Sequence, residues 1–384
     1  MVEVLEFNQI EPLAEFRSAW RDLLRQTAGH SFFQSLEWLE IYWRHDGAGQ
    51  RLRVLVVLDG SQPIGILPLT VLRESTWVGP VWTLTYPLSN WGSFYGPIGP
   101  DPLKTLAAGL KHLQHTPRDW DVFELRWHGR PGDDPVQLHR VLREAGFQAY
   151  PTCWDRTSVV EMSGTLDSYW ASRQGAWLRR LHQSERHLAR QGKVAYERYR
   201  PQGLPYDDGS PRWDLYDACE QIAGQSWQSR ATDGTTLSHP SVRAFLRETH
   251  AAAASLGMVD LNLLRIDGQP VAFIYGYHAD RITFGLRRGY DAARSREGAG
   301  TVLLARTLAD SFQRGDRLYD MGVGSLASKR HFQTRLLPIW RFSHYPPSSP
   351  RTQILRVRRW WQSRRGPPAS IAVGRVQDAA ADLR

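Results

Sequence analysis

Two stretches of this chain, 208 residues apart, read alike, and that repetition narrows the available folds more than any other feature. Leu52–Leu69 runs LRVLVVLDGSQPIGILPL, and Leu261–Tyr277 runs LNLLRIDGQPVAFIYGY. Each is an apolar run, an Asp-Gly pair, a Gln-Pro pair and a second apolar run. Asp-Gly tolerates the positive φ angles of a tight turn, so between β-rich runs it signals a hairpin. The likeness continues downstream. Gly99-Pro100-Asp101-Pro102 leads into a helical pattern, LKTLAAGLKHLQH, and then a strand, Trp120–Leu125. Gly298-Ala299-Gly300 leads into TVLLARTLADSFQRG and then a strand, Arg317–Met321. Hairpin, loop, helix and strand thus occur twice in one order, which duplication explains better than chance. The expectation is an α/β chain of two tandem units, mixed sheets flanked by helices. They span residues 1–155 and 156–345, with a Pro-rich linker and basic tail at 346–384.

At 384 residues the chain is long enough for two cores of ordinary size. No apolar run approaches the ~18 residues that suggest a membrane span. The start, MVEVLEFNQIEPLAEF, carries acids and no basic region, unlike a secretory signal. Cys153 and Cys219 are the two cysteines, which supplies neither a disulfide framework nor a zinc site. These features point to the cytoplasm and to no metal. The net charge of +9 favours anionic partners without choosing among phosphates, nucleic acid and acidic membrane.

The copies differ where chemistry would sit. Arg294 to Thr301 is Gly-rich and proline-free at the mouth of a helix, where N–H groups converge and the helix dipole favours an anion. Gly298, Ala299, Gly300 and Thr301 are the candidate pyrophosphate cradle, with Arg294 and Arg296 adding charge-assisted bonds. The matching loop, Gly96 to Pro102, has three prolines, which lack N–H donors, and Asp101, which repels anions. The second copy reads as equipped for a phosphorylated ligand and the first as structural.

These residues resemble the GNAT acyltransferase superfamily, in which a strand–loop–helix with such a turn holds the pyrophosphate of acyl-CoA. More closely, Gln174 to Phe332 resembles the Acetyltransf_6 group, associated with cellulose and exopolysaccharide gene clusters. Four pieces carry the likeness. They are the basic helix from Trp177 leading to Gly192 and Val194; the hairpin Asp267–Ala272; Tyr290-Asp291 with the Gly298-Ala299-Gly300 loop; and Tyr319–Gly324 followed by Ser328–Phe332. The likeness is looser for Ser31 to Gly99, and more distant to the FemAB aminoacyltransferases, which are double-GNAT proteins. One position departs: Ser295 stands where the superfamily turn usually has Gln or Arg. The resemblance implies acetyl-CoA as co-substrate and a sugar or cell-envelope precursor as acceptor.

An acceptor amine must lose a proton as it attacks a thioester, so a base is needed. Asp320 at a strand end, Glu220 on the helical stretch Trp213–Trp227, and His278 at a strand tip are the candidates. Each also has a plain reading as a turn cap, a solvent-facing acid or a hairpin residue. Tyr290 is a candidate proton donor to the leaving thiolate. Trp227, Tyr275 and Tyr277 are candidates for lining the acceptor cleft, although strand tyrosines commonly pack in cores. Lys329 and Arg330 are candidates for holding a phosphate. In the helix Trp177–Arg190, Trp177, Leu181 and Leu188 share one face, away from Arg179, Arg186 and Arg190.

The tail, RTQILRVRRWWQSRRG, carries six arginines and no acids around Trp360-Trp361. Such a helix suits an anionic membrane surface, nucleic acid or its own protein. Two rival functions stand beside acyl-CoA transfer. One is a Fem-like transfer from aminoacyl-tRNA, against which counts the lack of a heptad arm. The other is a non-catalytic scaffold of a polysaccharide assembly system. Nucleic acid other than tRNA has charge alone to recommend it.

Overall fold

In the computed structural model the Asp-Gly repeats form hairpins in two units, residues 2–156 with 338–364, and residues 157–337. The structure describes residues 2–88, 91–129, 133–226, 236–293, 298–324 and 326–364.

The first unit contains strands β1 (Val2–Phe7), β2 (Arg51–Asp59), β3 (Gln62–Thr76), β4 (Gly79–Thr85) and β5 (Val122–His128). Its helices are α1 (Arg17–Gln26), α2 (Leu36–Asp46), α3 (Pro102–His115) and α4 (Pro135–Glu144). Strand β6 (Ala149–Glu161) begins here and passes into the second unit at Thr157. The second unit continues with α5 (Leu166–Ala171), α6 (Gly175–Gln191), β7 (Val194–Tyr199), α7 (Trp213–Gln225) and α8 (Pro240–Ser255). Then come β8 (Val259–Ile266), β9 (Gln269–Ala279), β10 (Ile282–Tyr290), α9 (Ala299–Gln313), β11 (Leu318–Asp320) and α10 (Leu326–Lys329). Strand β12 (Arg335–His344) crosses back into the first unit at Pro338, followed there by α11 (Pro350–Arg364).

The two units share a topology. In the first, β1, β2, β3 and β4 are successively antiparallel, β4 and β5 are parallel, and β5 pairs antiparallel with β12. In the second, β7, β8, β9 and β10 are successively antiparallel, β10 and β11 are parallel, and β11 pairs antiparallel with β6. A crossover helix joins each parallel pair, α3 in one copy and α9 in the other, because a parallel neighbour cannot be reached by a tight turn. Both hairpin turns carry the positive φ that Asp-Gly tolerates, at Gly60, Asp267 and Gly268.

The expected boundaries need two corrections. A cut at residue 345 assigns all of β12 to the second unit, yet Pro338–His344 supplies the sixth strand of the first. The edge of β5 needs a hydrogen-bonding neighbour, and the returning chain provides it. The tail is also not wholly separate. Leu355 of α11 is buried with Val81, Val122 and Tyr345, and Arg359 donates to Glu124 at 2.5 Å. Glu124 is fully buried; burial opposes its charge, but Arg359, Arg126 and Arg341 hold it well below the usual carboxylate range.

In the second unit, α6 and α9 cover one sheet face. Trp177, Leu181 and Leu188 of α6 meet Val302, Leu303, Leu304 and Leu308 of α9 over Ala272, Ile274 and Tyr319. The one-face spacing read in α6 is therefore its buried stripe. The opposite sheet face carries Tyr275 and Tyr277, with Tyr275 against Tyr216 of α7.

Candidate active site

Strands β10 and β11 pair over three residues only, ending at Phe284↔Asp320. Beyond that point β10 runs on to Tyr290, held on its other edge by β9, with a register shift between Gly285 and Arg287. The shift is a bulge at Leu286, which turns the strand and ends the ladder. Among the described residues, β10 from Gly285 onward has no ladder partner on the β11 side. The parallel pair thus forks beyond Phe284↔Asp320. Glycines permit the close approach at the fork: a Cβ on Gly285 would lie 2.9 Å from the Asp320 carbonyl oxygen, and one on Gly322 2.9 Å from that of Gly285.

Helix α9 begins where β10 and its following loop end. Its N-cap, Gly298, has φ of 85° and offers no side-chain cap. Val302 N–H makes the first intrahelical bond, to Gly298 O at 2.8 Å, so the N–H groups of Ala299, Gly300 and Thr301 precede the helical ladder. A Cβ at Gly298 would also approach Ser184 Oγ of α6 to 2.5 Å, so glycine is required there by both conformation and space. In the first unit Asp101 closes the equivalent end of α3, accepting from Lys104 N–H at 3.0 Å and pairing with its ammonium at 2.8 Å. Among the described residues, the first copy carries an acid at the helix mouth and the second shows no side-chain cap.

Asp320 lies at the fork, buried, and accepts from Thr157 Oγ1 and, at 2.7 Å, from Gly322 N–H. Burial pushes its carboxyl up to about 6 against the opposing pull of those two bonds and of Lys329. That is near the value a general base working at neutral pH needs.

Residues 176–330 match the family described as acetyltransferase (GNAT) domain. This part of the chain is a GNAT domain. The match and the fold support a GNAT-type acyltransferase in this part of the chain, and GNAT folds generally use acyl-CoA. No curated protein sequence matches the chain. Among solved structures, FemX is 11% identical with a TM-score of 0.57, covering 92% of this chain and 99% of its own. The C-terminal DUF2156 domain of a protein assigned as lysylphosphatidylglycerol synthetase from Agrobacterium fabrum is 12% identical with a TM-score of 0.54, covering 90% and 96%. A conserved protein of unknown function from Bacteroides thetaiotaomicron is 11% identical with a TM-score of 0.50, covering 90% and 100%. At these identities the likeness is one of fold, and it spans both units.

Within the GNAT domain the candidate residues fall into separate places. Gly298, Ala299, Gly300 and Thr301 form the helix mouth, and Tyr290 lies beside it, its Cδ1 3.6 Å from where a Gly300 Cβ would stand. Asp320 stands at the fork. His278 lies at the other end of β10, opposite Thr283, with Nε2 3.2 Å from Asp316 Oδ1. Seven residues of strand at ~3.3 Å each separate Thr283 from Tyr290 and the α9 mouth, whereas the fork at Phe284 is the next residue. Burial opposes the charge of Asp316, but bonds from His278 and Arg200 hold it well below the usual range. His278 is therefore engaged in an ion network with Asp316 and Arg200, one residue along the strands from the Phe284↔Asp320 pair. Glu220 is engaged by Arg243 at 2.9 Å and Arg247 at 3.0 Å on α7 and α8. Tyr275 and Tyr277 are core; burial raises both phenols, Tyr277 to about 12. Lys329 is buried and donates to the carbonyls of Gly322 and Val323 at 2.8 and 2.7 Å, clamping the loop after β11. Arg330 is exposed beside His331, which stacks on Trp177 at 5.5 Å. Trp227, Arg294 and Arg296 lie outside the described residues.

Sequence reasoning missed Thr157, Ser184 and Gly285. Gly285 did carry a signal, since a glycine inside a strand pattern marks a bulge or close backbone approach. Thr157 carried none, because it reaches Asp320 from a strand 163 residues away.

Proposed function

We propose that the second unit binds acyl-CoA along β10 beyond its ladder with β11, with the pyrophosphate at the mouth of α9 and the thioester at the fork beside Asp320. The observation that carries this reading is the N-terminus of α9, with no side-chain cap among the described residues, beside the fork of β10 and β11, set against the self-capped end of α3. The N–H groups of Ala299, Gly300 and Thr301 and the helix dipole would hold the phosphates. The stretch of β10 beyond its last ladder pair with β11, Phe284↔Asp320, would pair with the amides of the pantetheine arm, as a neighbouring strand would.

The reaction is direct transfer of an acyl group, acetyl in the simplest case, to an amine. The acceptor nitrogen attacks the thioester carbonyl and the C–S bond breaks. The amine proton passes to the Asp320 carboxylate and from there to the departing thiolate, so amide and thiol are formed with no net proton change. Holding both reactants in line supplies much of the rate, and backbone donors at the bulge polarise the carbonyl. The acceptor we propose is a sugar or cell-envelope glycan precursor, supported by the Acetyltransf_6 resemblance, and the setting is the cytoplasm, where acyl-CoA is available.

Calorimetry with acetyl-CoA tests the reading, using the Gly300→Asp variant as control. Saturable binding that the variant loses supports the site. A folded protein that binds no acyl-CoA overturns it and turns the search toward aminoacyl-tRNA.

A further inference from the structure

Helix α11 has two faces that would normally compete for one core. Thr352, Leu355 and Arg359 point into the first unit, where Leu355 is buried and Arg359 meets Glu124 and Tyr345. The other face is apolar too. Ile354, Val357 and Trp361, at helical i, i+3 and i+7 spacing, are 50%, 54% and 54% exposed. Trp77, at the turn between β3 and β4, joins them and is 56% exposed. Together with Gln353 and Arg358 they line an open groove of about 540 Å³. Side chains of this kind scatter singly over most surfaces, but a contiguous apolar groove marks a place of interaction.

The charge around the groove says what kind of surface it meets. Helix α11 carries Arg351, Arg356, Arg358, Arg359 and Arg364 and no acidic residue. Arg359 is spent on Glu124, whereas Arg358 lies over the ring of Trp77 at 4.8 Å and Arg356 over that of Tyr150 at 5.6 Å. A guanidinium seated on an indole at the edge of an apolar strip presents hydrophobic and cationic groups at one level. That is the arrangement suited to the boundary between acyl chains and anionic headgroups, where Trp is favoured and Arg meets phosphate. A second protein would supply acids but gives no reason for tryptophans ringed by arginine. Nucleic acid would meet the arginines but not Ile354 and Val357. Among the described residues no helix is long and apolar enough to cross a membrane, so the contact is one of lying on the surface.

We propose that the outer face of α11, with Trp77, docks the first unit on an anionic lipid bilayer. The inference is independent of the acyl-transfer reading, because the face belongs to the first unit and the fork to the second.

Co-sedimentation of the full chain with phosphatidylglycerol vesicles, against phosphatidylcholine vesicles, tests it. Binding to the anionic vesicles that weakens with salt is expected. Val357→Ser with Trp361→Ser should reduce the binding about ten-fold or more, and Arg351→Gln with Arg358→Gln should do likewise. All four side chains are exposed, so unchanged thermal melts will show that the variants fold. Three results would overturn the proposal. One is no vesicle binding at low salt. Another is binding lost with the arginines but unchanged by the apolar pair, which describes a general polyanion surface. The third is a dimer in sedimentation velocity that the apolar pair abolishes without vesicle binding, which makes a second copy the occupant.

Discussion

Asp320 accepts a hydrogen bond from the backbone N–H of Gly322, two residues further along the chain, at 2.7 Å. The bond folds the end of β11 back on itself and holds the carboxylate at the fork, where burial lifts it to about 6. If Asp320 is the base, kcat/KM for acyl transfer should rise with pH through about 6 and level off above it. Asp320→Asn should remove that limb and lower the rate by ~10²–10⁴-fold, the usual contribution of a positioned base. An unchanged pH profile in the variant would assign the base elsewhere.

The same carboxyl makes a stability prediction of the opposite sense. Its folded value, about 6, is above the ordinary 3.8, so the folded state binds more protons between those values. Stability from this group is present below 3.8 and is lost as pH rises through about 6. Asparagine can still accept from Thr157 and Gly322 without the buried charge. Asp320→Asn should therefore be more stable at pH 8, by on the order of 1–3 kcal/mol, with the gain fading near pH 4. Urea unfolding at the two pH values checks this, and an inactive but stabilised variant is the expected result.

The two glycines of the helix mouth should behave differently. Gly298→Ala places a Cβ at φ of 85° and 2.5 Å from Ser184 Oγ, and should cost about 1–3 kcal/mol of stability. Gly300→Asp meets nothing nearer than Tyr290 at 3.6 Å and puts an acid in the first helical turn, which favours the helix by roughly 0.3–1 kcal/mol. It should nevertheless abolish acyl-CoA binding by repelling the phosphates. Thermal melts alongside calorimetry separate the two effects.

Lys329 ties α10 to the Gly322-Val323 carbonyls, so its contribution should be positional. Lys329→Met should cost ~1–3 kcal/mol by leaving two half-buried acceptors without their donor. It should lower kcat more than it raises KM for acyl-CoA, since the loop it holds borders the fork. A KM effect alone would instead return Lys329 to phosphate binding.

Arg359→Met should detach α11 from the first unit. Arg126 still pairs with Glu124 at 2.5 Å, so the expected loss is ~1–3 kcal/mol, below the ~3–5 of a fully orphaned buried charge. Faster proteolysis after Tyr345 is the accompanying readout.

The fold was legible largely because its signals are local. Asp59-Gly60 and Asp267-Gly268 declare their hairpins by turn chemistry, and Gly298-Ala299-Gly300 declares a helix start by what glycine alone tolerates. The contrast between Asp101 and Gly298 could likewise be read directly, since a capping acid and an uncapped glycine differ in sequence as they do in space. The candidate site was legible only in part. Asp320, Glu220 and His278 looked alike as bases because each ends or lines an element, and nothing local tells a fork from an ion network.

What the sequence determined by itself was the pair of α/β units and the order of their elements. Each depends on groups a few residues apart, whose geometry the backbone imposes. The tertiary structure decided that β12 completes the first unit, that Glu220 and His278 are held in ion clusters, and that Lys329 clamps a loop. It also decided that Asp320 is buried beside Thr157 at the end of a broken ladder. Those outcomes hang on burial and on partners far away in the chain, and burial is what converts an ordinary carboxylate into one poised near neutral pH.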